Sequence, residues 1–183
     1  EELRSASITN TIVLLEGPHK AVDLTSIVQL KLEIVIHNEY QLDILEQAIL
    51  DEPLQVWIKI DTGMHRLGFP LEDITNILKR VAQCKNIKAS FRLMTHLATA
   101  NEQDNPLTQH QLENFKQACN NMKLEKSVAN SAAVIGFSET HADWNRPGLM
   151  LYGVSPLTDR DGNELELKPV MTLESELISI QKL

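Results

Sequence analysis

The chain has 183 residues, 17 of them basic and 25 acidic, which gives a formal net charge of −8. This acidic balance, without a Lys/Arg cluster, argues against a nucleic-acid-binding surface and against a polybasic membrane patch. No apolar run approaches the roughly 20 residues of a membrane-spanning helix, and no signal peptide opens the chain, so we expect a cytoplasmic protein that does not enter a membrane.

Short β-branched runs alternate with longer amphipathic stretches along the chain. The runs predict six strands, at residues 11–15, 33–37, 56–61, 89–96, 127–130 and 149–154. Apolar residues at helical spacing predict three helices between them, at residues 40–50, 71–84 and 108–122. This alternation indicates parallel strands with right-handed crossovers, which a closed (β/α) barrel and an open doubly wound sheet both satisfy.

The pattern of apolar and polar residues changes near the end of the sequence. Residues 158–163 are turn-like, and residues 168–180 alternate between apolar and polar side chains, which predicts a longer strand. We therefore expect residues 1–157 to form a partial barrel domain, and residues 158–183 to form a linker and the first strand of a β-rich domain.

The richest segment is residues 59–69, where the third predicted strand passes into a loop. Lys59 and Asp61 share one face of that strand. Charged side chains inside a parallel sheet are usually buried, so each is expected to have a partner of opposite charge or a hydrogen-bond partner. This spacing favours two interpretations equally. One is a structural network that joins Lys59 to Asp61 or Arg66, and the other is a functional site. Arg66 lies between glycines and, with its fixed fork of donors, is a candidate to hold an anion.

Three further segments end predicted strands or precede them. His96 ends the fourth strand, where it could act as an acid or base, a ligand, or a flat surface for a planar cofactor, although a hydrogen-bonded surface His is commoner. Ser131 follows the fifth strand and is predicted to cap a helix whose N–H groups could hold a phosphate, an ordinary cap being favoured. Arg146 precedes a Pro-Gly turn that would fix its position.

Other site types are not indicated. The six histidines show no zinc-type spacing with Cys or with each other, so no metal is expected. No P-loop, dinucleotide-binding glycine motif or nucleophile elbow occurs. Cys84 and Cys119 lie in helical patterns and suggest buried thiols rather than a disulfide framework.

Four segments taken together closely resemble the alanine racemase family, in the family's order and with similar spacing. They are Ile-Asp-Thr-Gly-Met-His-Arg-Leu-Gly at 60–68, Thr-His-Leu-Ala-Thr-Ala at 95–100, Ala-Asn-Ser-Ala-Ala at 129–133 and Arg-Pro-Gly-Leu-Met-Leu-Tyr-Gly at 146–153. The first of these is highly specific, and the resemblance spans nearly the whole chain.

The resemblance implies an enzyme dependent on pyridoxal 5′-phosphate (PLP) that interconverts L- and D-alanine for peptidoglycan synthesis and works as a homodimer. The fold it implies is a (β/α)8, or TIM, barrel followed by a β-domain. Such a barrel needs about 250 residues. With six strand units and a first residue that is not Met, the chain is expected to lack the barrel's first two units and most of the second domain.

Site residues follow from the same resemblance. Arg66 is implied as a catalytic residue near the cofactor's phenolic oxygen and the substrate. Lys59 matches a lysine that is carbamylated in some members, where it positions that arginine. The cofactor-binding residues implied are His96, Asn130, Ser131, Arg146, Gly148 and Leu149.

The resemblance also implies a role for most of these groups. His96 packs on or beside the pyridine ring, and Arg146 faces the ring nitrogen. Ser131 holds the phosphate, to which Gly148 and Leu149 offer backbone N–H groups.

The chain departs from the family in the two groups that move the proton. It has no motif like the one that carries the family's Schiff-base lysine, and neither Tyr40 nor Tyr152 matches the catalytic tyrosine. We therefore expect this segment alone to be inactive and to bind PLP weakly or not at all. The alternatives are a non-catalytic PLP-binding barrel protein and a racemase for another small amino acid such as serine.

Overall fold

The computed structural model describes residues 1–119 and 122–182. The strands are β1 (Val13–Leu14), β2 (Glu33–Ile36), β3 (Val56–Lys59), β4 (Arg92–Met94), β5 (Lys126–Asn130) and β6 (Trp144–Arg146). The α-helices are α1 (Glu2–Ser5), α2 (Asp23–Gln29), α3 (Glu39–Gln47), α4 (Ile74–Gln83), α5 (Pro106–Cys119) and α6 (Ser131–Gly136). Two 3₁₀ segments are Ser138–Thr140 and Leu149–Tyr152.

The six strands form one sheet in which every neighbouring pair is parallel. Their spatial order, β1 to β6, is also their order along the chain. A doubly wound sheet reverses direction at a switch point, whereas a (β/α)8 barrel adds each new strand on the same side. The sequential order therefore decides between the two arrangements and confirms the predicted barrel-type α/β fold.

The two faces of the sheet differ in what covers them. Ile34, Ile58 and Leu93 are fully buried on the face that packs against the helices. Val35, Trp57 and Met94 alternate with them and form a separate cluster on the opposite, inner face. The predicted period of two places Lys59 on this inner face with Trp57.

The helices cover the outer face through apolar stripes. In α4, Ile74, Ile77, Leu78 and Val81 are buried at helical spacing. Helix α3 begins at a cap, because the Asn38 side chain accepts a hydrogen bond from the backbone N–H of Gln41 at 2.9 Å.

An ionic and aromatic cluster fills the amino-terminal end of the inner face. The Arg92 guanidinium carbon lies 5.1 Å from the ring centre of Trp57 and 4.9 Å from that of Trp144. Arg92 also donates to the carboxylates of Glu33 and Glu125, and each carboxylate accepts an indole N–H, from Trp57 and Trp144 respectively. The segments that carry the predicted site residues therefore lie at the opposite, carboxyl-terminal end of the strands.

Five of the six strand predictions are confirmed, the first four with shorter bounds and the fifth with one more residue, and the sixth is wrong. The sixth strand is Trp144–Arg146, and Leu149–Tyr152 forms a 3₁₀ turn in which Leu149, Leu151 and Tyr152 are exposed. The apolar run at 149–154 suggested burial, but Pro147 cannot donate to a ladder and ends the strand before it.

The helix predictions are confirmed, except that the predicted end of the third helix at 120–122 lies partly outside the described residues. Helix α2 was not predicted, although Leu24, Ile27 and Val28 follow its helical spacing.

Residues 168–182 form neither helix nor strand in the structure. A strand is defined by its pairing with a neighbour, and this segment pairs with none of the described strands, so the proposed β-domain stays a prediction. Among the described residues, no helix has the length and apolar character needed to cross a membrane.

Candidate functional site

Polar side chains gather at the carboxyl ends of four neighbouring strands. Lys59 is the last residue of β3, His96 lies two residues after β4, Asn130 ends β5 and Arg146 ends β6. In a parallel sheet these ends meet at one edge, which is where barrel enzymes build their sites. The fold therefore brings together segments that are up to 87 residues apart in sequence, from Lys59 to Arg146.

The loop after β3 is closed on itself by backbone hydrogen bonds. The Phe69 N–H donates to the Lys59 carbonyl and the Asp61 N–H donates to the Phe69 carbonyl, both at 2.9 Å. Gly68 has a φ of +132°, and a Cβ there would lie 2.6 Å from the Asp61 nitrogen, so only glycine fits. Arg66, whose side chain is exposed, is thus carried on a tightly closed loop.

Asp61 organises the inside of this loop. Its Oδ1 accepts hydrogen bonds from the N–H groups of Gly63, Met64 and His65 at 3.0, 3.0 and 3.1 Å. Burial alone raises the pKa of the Asp61 carboxyl, but these donors and the nearby His65 outweigh it and lower the pKa below its usual value. The carboxylate therefore shapes the loop, and the Lys59–Asp61 ion pair, one of the alternatives open from the sequence, is not formed.

Arg146 is a half-buried cation that contacts only neutral acceptors. It donates to the Ser127 hydroxyl at 2.5 Å and to the carbonyls of Thr95 and Val128 at 2.6 and 3.4 Å. Burial lowers the pKa of its guanidinium to about 10, so that it still carries its proton at neutral pH. Its charge is available to a ligand.

His96 lies beside that guanidinium, with its Nδ1 3.5 Å from Nη2 of Arg146. Burial, together with the positive charges of Arg146, Arg66 and Lys59, lowers the pKa of the His96 imidazole to about 4. The imidazole is therefore neutral at pH 7. A neutral ring with Nδ1 facing a guanidinium accepts there and carries its proton on Nε2.

Lys59 is half-buried in the same group of cations. Burial lowers the pKa of its ammonium, Arg66 and Arg146 lower it further, and Asp61 opposes them. Across residues 1–119 and 122–182, no Asp or Glu oxygen lies within 4.0 Å of the charged nitrogens of Lys59, Arg66 or Arg146. These three cations therefore have no direct carboxylate partner among the described residues.

A hydroxyl and backbone N–H groups meet at the ends of β5 and β6. The buried Ser131 accepts hydrogen bonds on Oγ from the N–H groups of Gly148 and Met150, at 2.8 and 3.3 Å. The prediction that Ser131 caps α6 is wrong, because the Asn130 side chain accepts from the Ala133 N–H at 3.0 Å and fills that role. Leu149 lies next to Gly148 with an exposed side chain.

Sequence reasoning missed the residues that join the loops behind the site. Thr62 and Thr95 are buried, with their hydroxyls 2.8 Å apart, and Gln111 and Asn114 of α5 donate to Thr62. The available signal was the spacing of Thr108, Gln111 and Phe115, which places polar side chains on the buried stripe of α5. In the part of the chain that the structure describes, no group of three metal-ligating side chains occurs.

Comparisons with known proteins identify the family of the chain. The family model described as "Alanine racemase, N-terminal domain" matches residues 1–156. Curated alanine racemases of Halorhodospira halophila and Shewanella woodyi are 42% and 43% identical over 100% and 98% of the chain, which spans about half (50%) of each. The crystal structure of the biosynthetic alanine racemase of Pseudomonas aeruginosa, 40% identical, matches with a TM-score of 0.86 over 92% of the chain and 47% of its own length. The chain therefore belongs to the alanine racemase family, through the family's N-terminal domain.

Proposed function

We propose that the protein carrying this chain is a PLP-dependent alanine racemase, and that this chain supplies one edge of its cofactor site. The observation that carries the proposal is the convergence of Lys59, Arg66 and Arg146 on a neutral His96 at the carboxyl ends of the strands. Family membership and the match to alanine racemases support the substrate. We further propose that the protein is a cytoplasmic homodimer that provides D-alanine for peptidoglycan.

The residues at this edge fit PLP. The cofactor carries a phosphate, and Ser131 with the N–H groups of Gly148 and Leu149 would hold it, with Asn130 beside them. The cations, which lack a direct carboxylate partner, favour such an anion. His96 offers a flat neutral ring for the pyridine, and Arg146 would face the ring nitrogen.

PLP supplies an electron sink that stabilises negative charge at the substrate's α-carbon once its proton is removed. Arg146 donates a hydrogen bond but keeps its proton at neutral pH. It would therefore leave the ring nitrogen unprotonated, which would weaken the sink and favour racemisation over transamination.

Arg66 and Lys59 act on the other side of the site in this proposal. The closed loop holds the Arg66 charge where a phenolic oxygen and a substrate carboxylate can bind it. Lowering the pKa of Lys59 increases its uncharged fraction, which is the form that combines with CO₂ to give a carbamate and a released proton. A carbamate at Lys59 would pair with Arg66 and fix its position.

Proton transfer in this proposal depends on a lysine and a tyrosine supplied outside the segments described above. The lysine lies on an earlier barrel strand, and the tyrosine comes from the partner subunit. Neither Tyr40 nor Tyr152 is assigned this role, since Tyr40 lies in α3 and Tyr152 ends an exposed 3₁₀ turn.

The test is the rate of D-alanine to L-alanine conversion by the complete gene product loaded with PLP. We expect saturable conversion, and at least a tenfold lower kcat/KM for Arg66→Ala. A folded, PLP-loaded protein that converts neither enantiomer would contradict the proposal and favour a non-catalytic PLP-binding protein. Faster conversion of serine than of alanine would keep the reaction and change the substrate.

A further inference from the structure

Gln111 of α5 is a fully buried polar residue for which the proposed function has no role. Its side chain has no solvent exposure, and its neighbours along the helix, Leu112 and Phe115, belong to the apolar core. A buried amide is unfavourable unless its donors and acceptor are all paired. The partners of Gln111 therefore indicate what it does.

Each polar atom of the Gln111 amide contacts a site loop. Its Oε1 accepts from the Ala98 N–H at 2.8 Å, and its Nε2 donates to the His96 carbonyl at 3.0 Å. The second Nε2 hydrogen points to the Thr62 hydroxyl at 3.3 Å. Because one partner is a backbone donor and another a backbone acceptor, only one orientation of the amide satisfies both.

The two loops held in this way carry different parts of the candidate site. Thr62 belongs to the closed loop that presents Arg66, and its hydroxyl also lies 2.8 Å from that of Thr95. His96 is in the segment after β4. Gln111 is therefore a cross-link between the Arg66 loop and the His96 segment, on a helix whose Asn114 also donates to the Thr62 carbonyl.

We propose that Gln111 is a positioning residue that fixes Arg66 relative to His96. The consequence for catalysis rests on the proposed function, whereas the consequence for the position of His96 does not. Displacement of reacting groups by about 1 Å can lower a rate about 10²-fold, so loss of this cross-link should lower turnover more than stability.

The first experiment uses the complete, PLP-loaded protein and two variants on the same helix. Gln111→Met keeps the length of the side chain and removes all its hydrogen bonds, whereas Gln117→Met makes the same change at an exposed position. We expect Gln111→Met to lower kcat about 10²-fold and to change the alanine KM less than kcat. We also expect it to raise the Kd for PLP. The Gln117→Met variant should match the parent protein in all three.

Gln111→Glu separates positioning from space filling. A carboxylate of the same shape still accepts from Ala98 but cannot donate to the His96 carbonyl or to Thr62. We expect it to impair kcat as strongly as Gln111→Met. Parental kcat and PLP Kd in both variants, or a lower melting temperature as their only change, would overturn the proposal.

The second experiment does not depend on racemase activity. In the PLP-free protein, the imidazole NMR signal of His96 is identified by its loss in His96→Gln. We expect this signal to shift in Gln111→Met and to stay in place in Gln117→Met. An unchanged His96 signal in a folded Gln111→Met protein would refute the positioning role, even if the protein proved to have another activity.

Discussion

The charge state of individual residues at the strand ends is set by their neighbours rather than by their own chemistry. Arg146 stays protonated among neutral acceptors, and burial together with the charge of Arg146 keeps the adjacent His96 neutral. His96 is therefore poorly suited to acid–base work near pH 7, where a histidine of ordinary pKa would titrate. A role as a neutral, flat contact fits its pKa better than a role as a proton carrier.

The lowered pKa of His96 predicts a pH dependence of stability. The pKa is about 4 in the folded protein and 6.5 in its ordinary state, so between these values the unfolded chain binds the extra proton. The folded state holds His96 neutral, so this group leaves the free energy of unfolding undiminished above pH 6.5. As the pH falls toward 4, protonation of the unfolded chain lowers that free energy. In urea unfolding at pH 7 and pH 5, His96→Gln should lose less stability than the parent protein.

The control for this prediction is His110→Gln, a histidine that is exposed on α5. It should lose as much stability between pH 7 and pH 5 as the parent protein. Equal losses in the parent protein and in His96→Gln would contradict the neutral, partly buried state of His96.

At the scale of elements, the inner face of the sheet is divided into two functional ends. The amino-terminal end is filled by Arg92, two indoles and two carboxylates that belong to or adjoin strands β2 to β6. The carboxyl-terminal end holds the cations of the candidate site. Cross-strand contacts at the amino-terminal end hold the strands together. The loops at the carboxyl-terminal end are therefore not needed for this and can serve binding.

Arg92→Met is predicted to loosen this cluster, since it leaves Glu33 and Glu125 without their cation. The loss of stability should lie between about 1 kcal/mol for an exposed ion pair and about 3–5 kcal/mol for a buried one. Trp57 and Trp144 are the chain's two tryptophans, so the chain's intrinsic fluorescence should also change. Urea unfolding followed by fluorescence measures both effects.

Arg80→Met is the matched control for Arg92→Met. Arg80 pairs with Glu39, Asp43 and Glu46 on the outer surface of α3, with no indole beside it. We expect a smaller loss of stability and unchanged fluorescence. If Arg80→Met proved as destabilising as Arg92→Met, the cluster would have no special role in holding the strands together.

At the scale of the whole molecule, the described sheet ends at β1 and β6, and neither strand pairs with the other. A groove of about 590 Å³ runs along β1 and is lined by residues such as Leu14, Pro18 and Ile27. Large apolar side chains are exposed near the end of the chain, at Val170, Met171, Leu173, Leu177, Ile178 and Ile180. Unpaired strands and exposed apolar side chains both favour association.

The 183-residue chain expressed alone is therefore predicted to self-associate. Its mass by sedimentation equilibrium should rise with concentration, and Leu173→Asp with Ile178→Asp should reduce this rise because both side chains are almost fully exposed. A charge-matched control, Lys168→Gln with Lys182→Gln, should leave the association unchanged. A monomeric chain at every concentration would contradict the prediction.

The sequence by itself determined the family, the alternation of strands and helices, and which face of β3 carries Lys59, because these depend on local periodicity and on contiguous motifs. Only the tertiary structure decided that the sixth strand is Trp144–Arg146, that Asn130 rather than Ser131 caps α6, and that Gln111 joins two loops. It also decided that His96 is neutral. The Gln111 cross-link and the pKa of His96 depend on partners distant in sequence, whose proximity local patterns do not encode. The end of β6 and the Asn130 cap are local, but the backbone conformation there chose between two local signals.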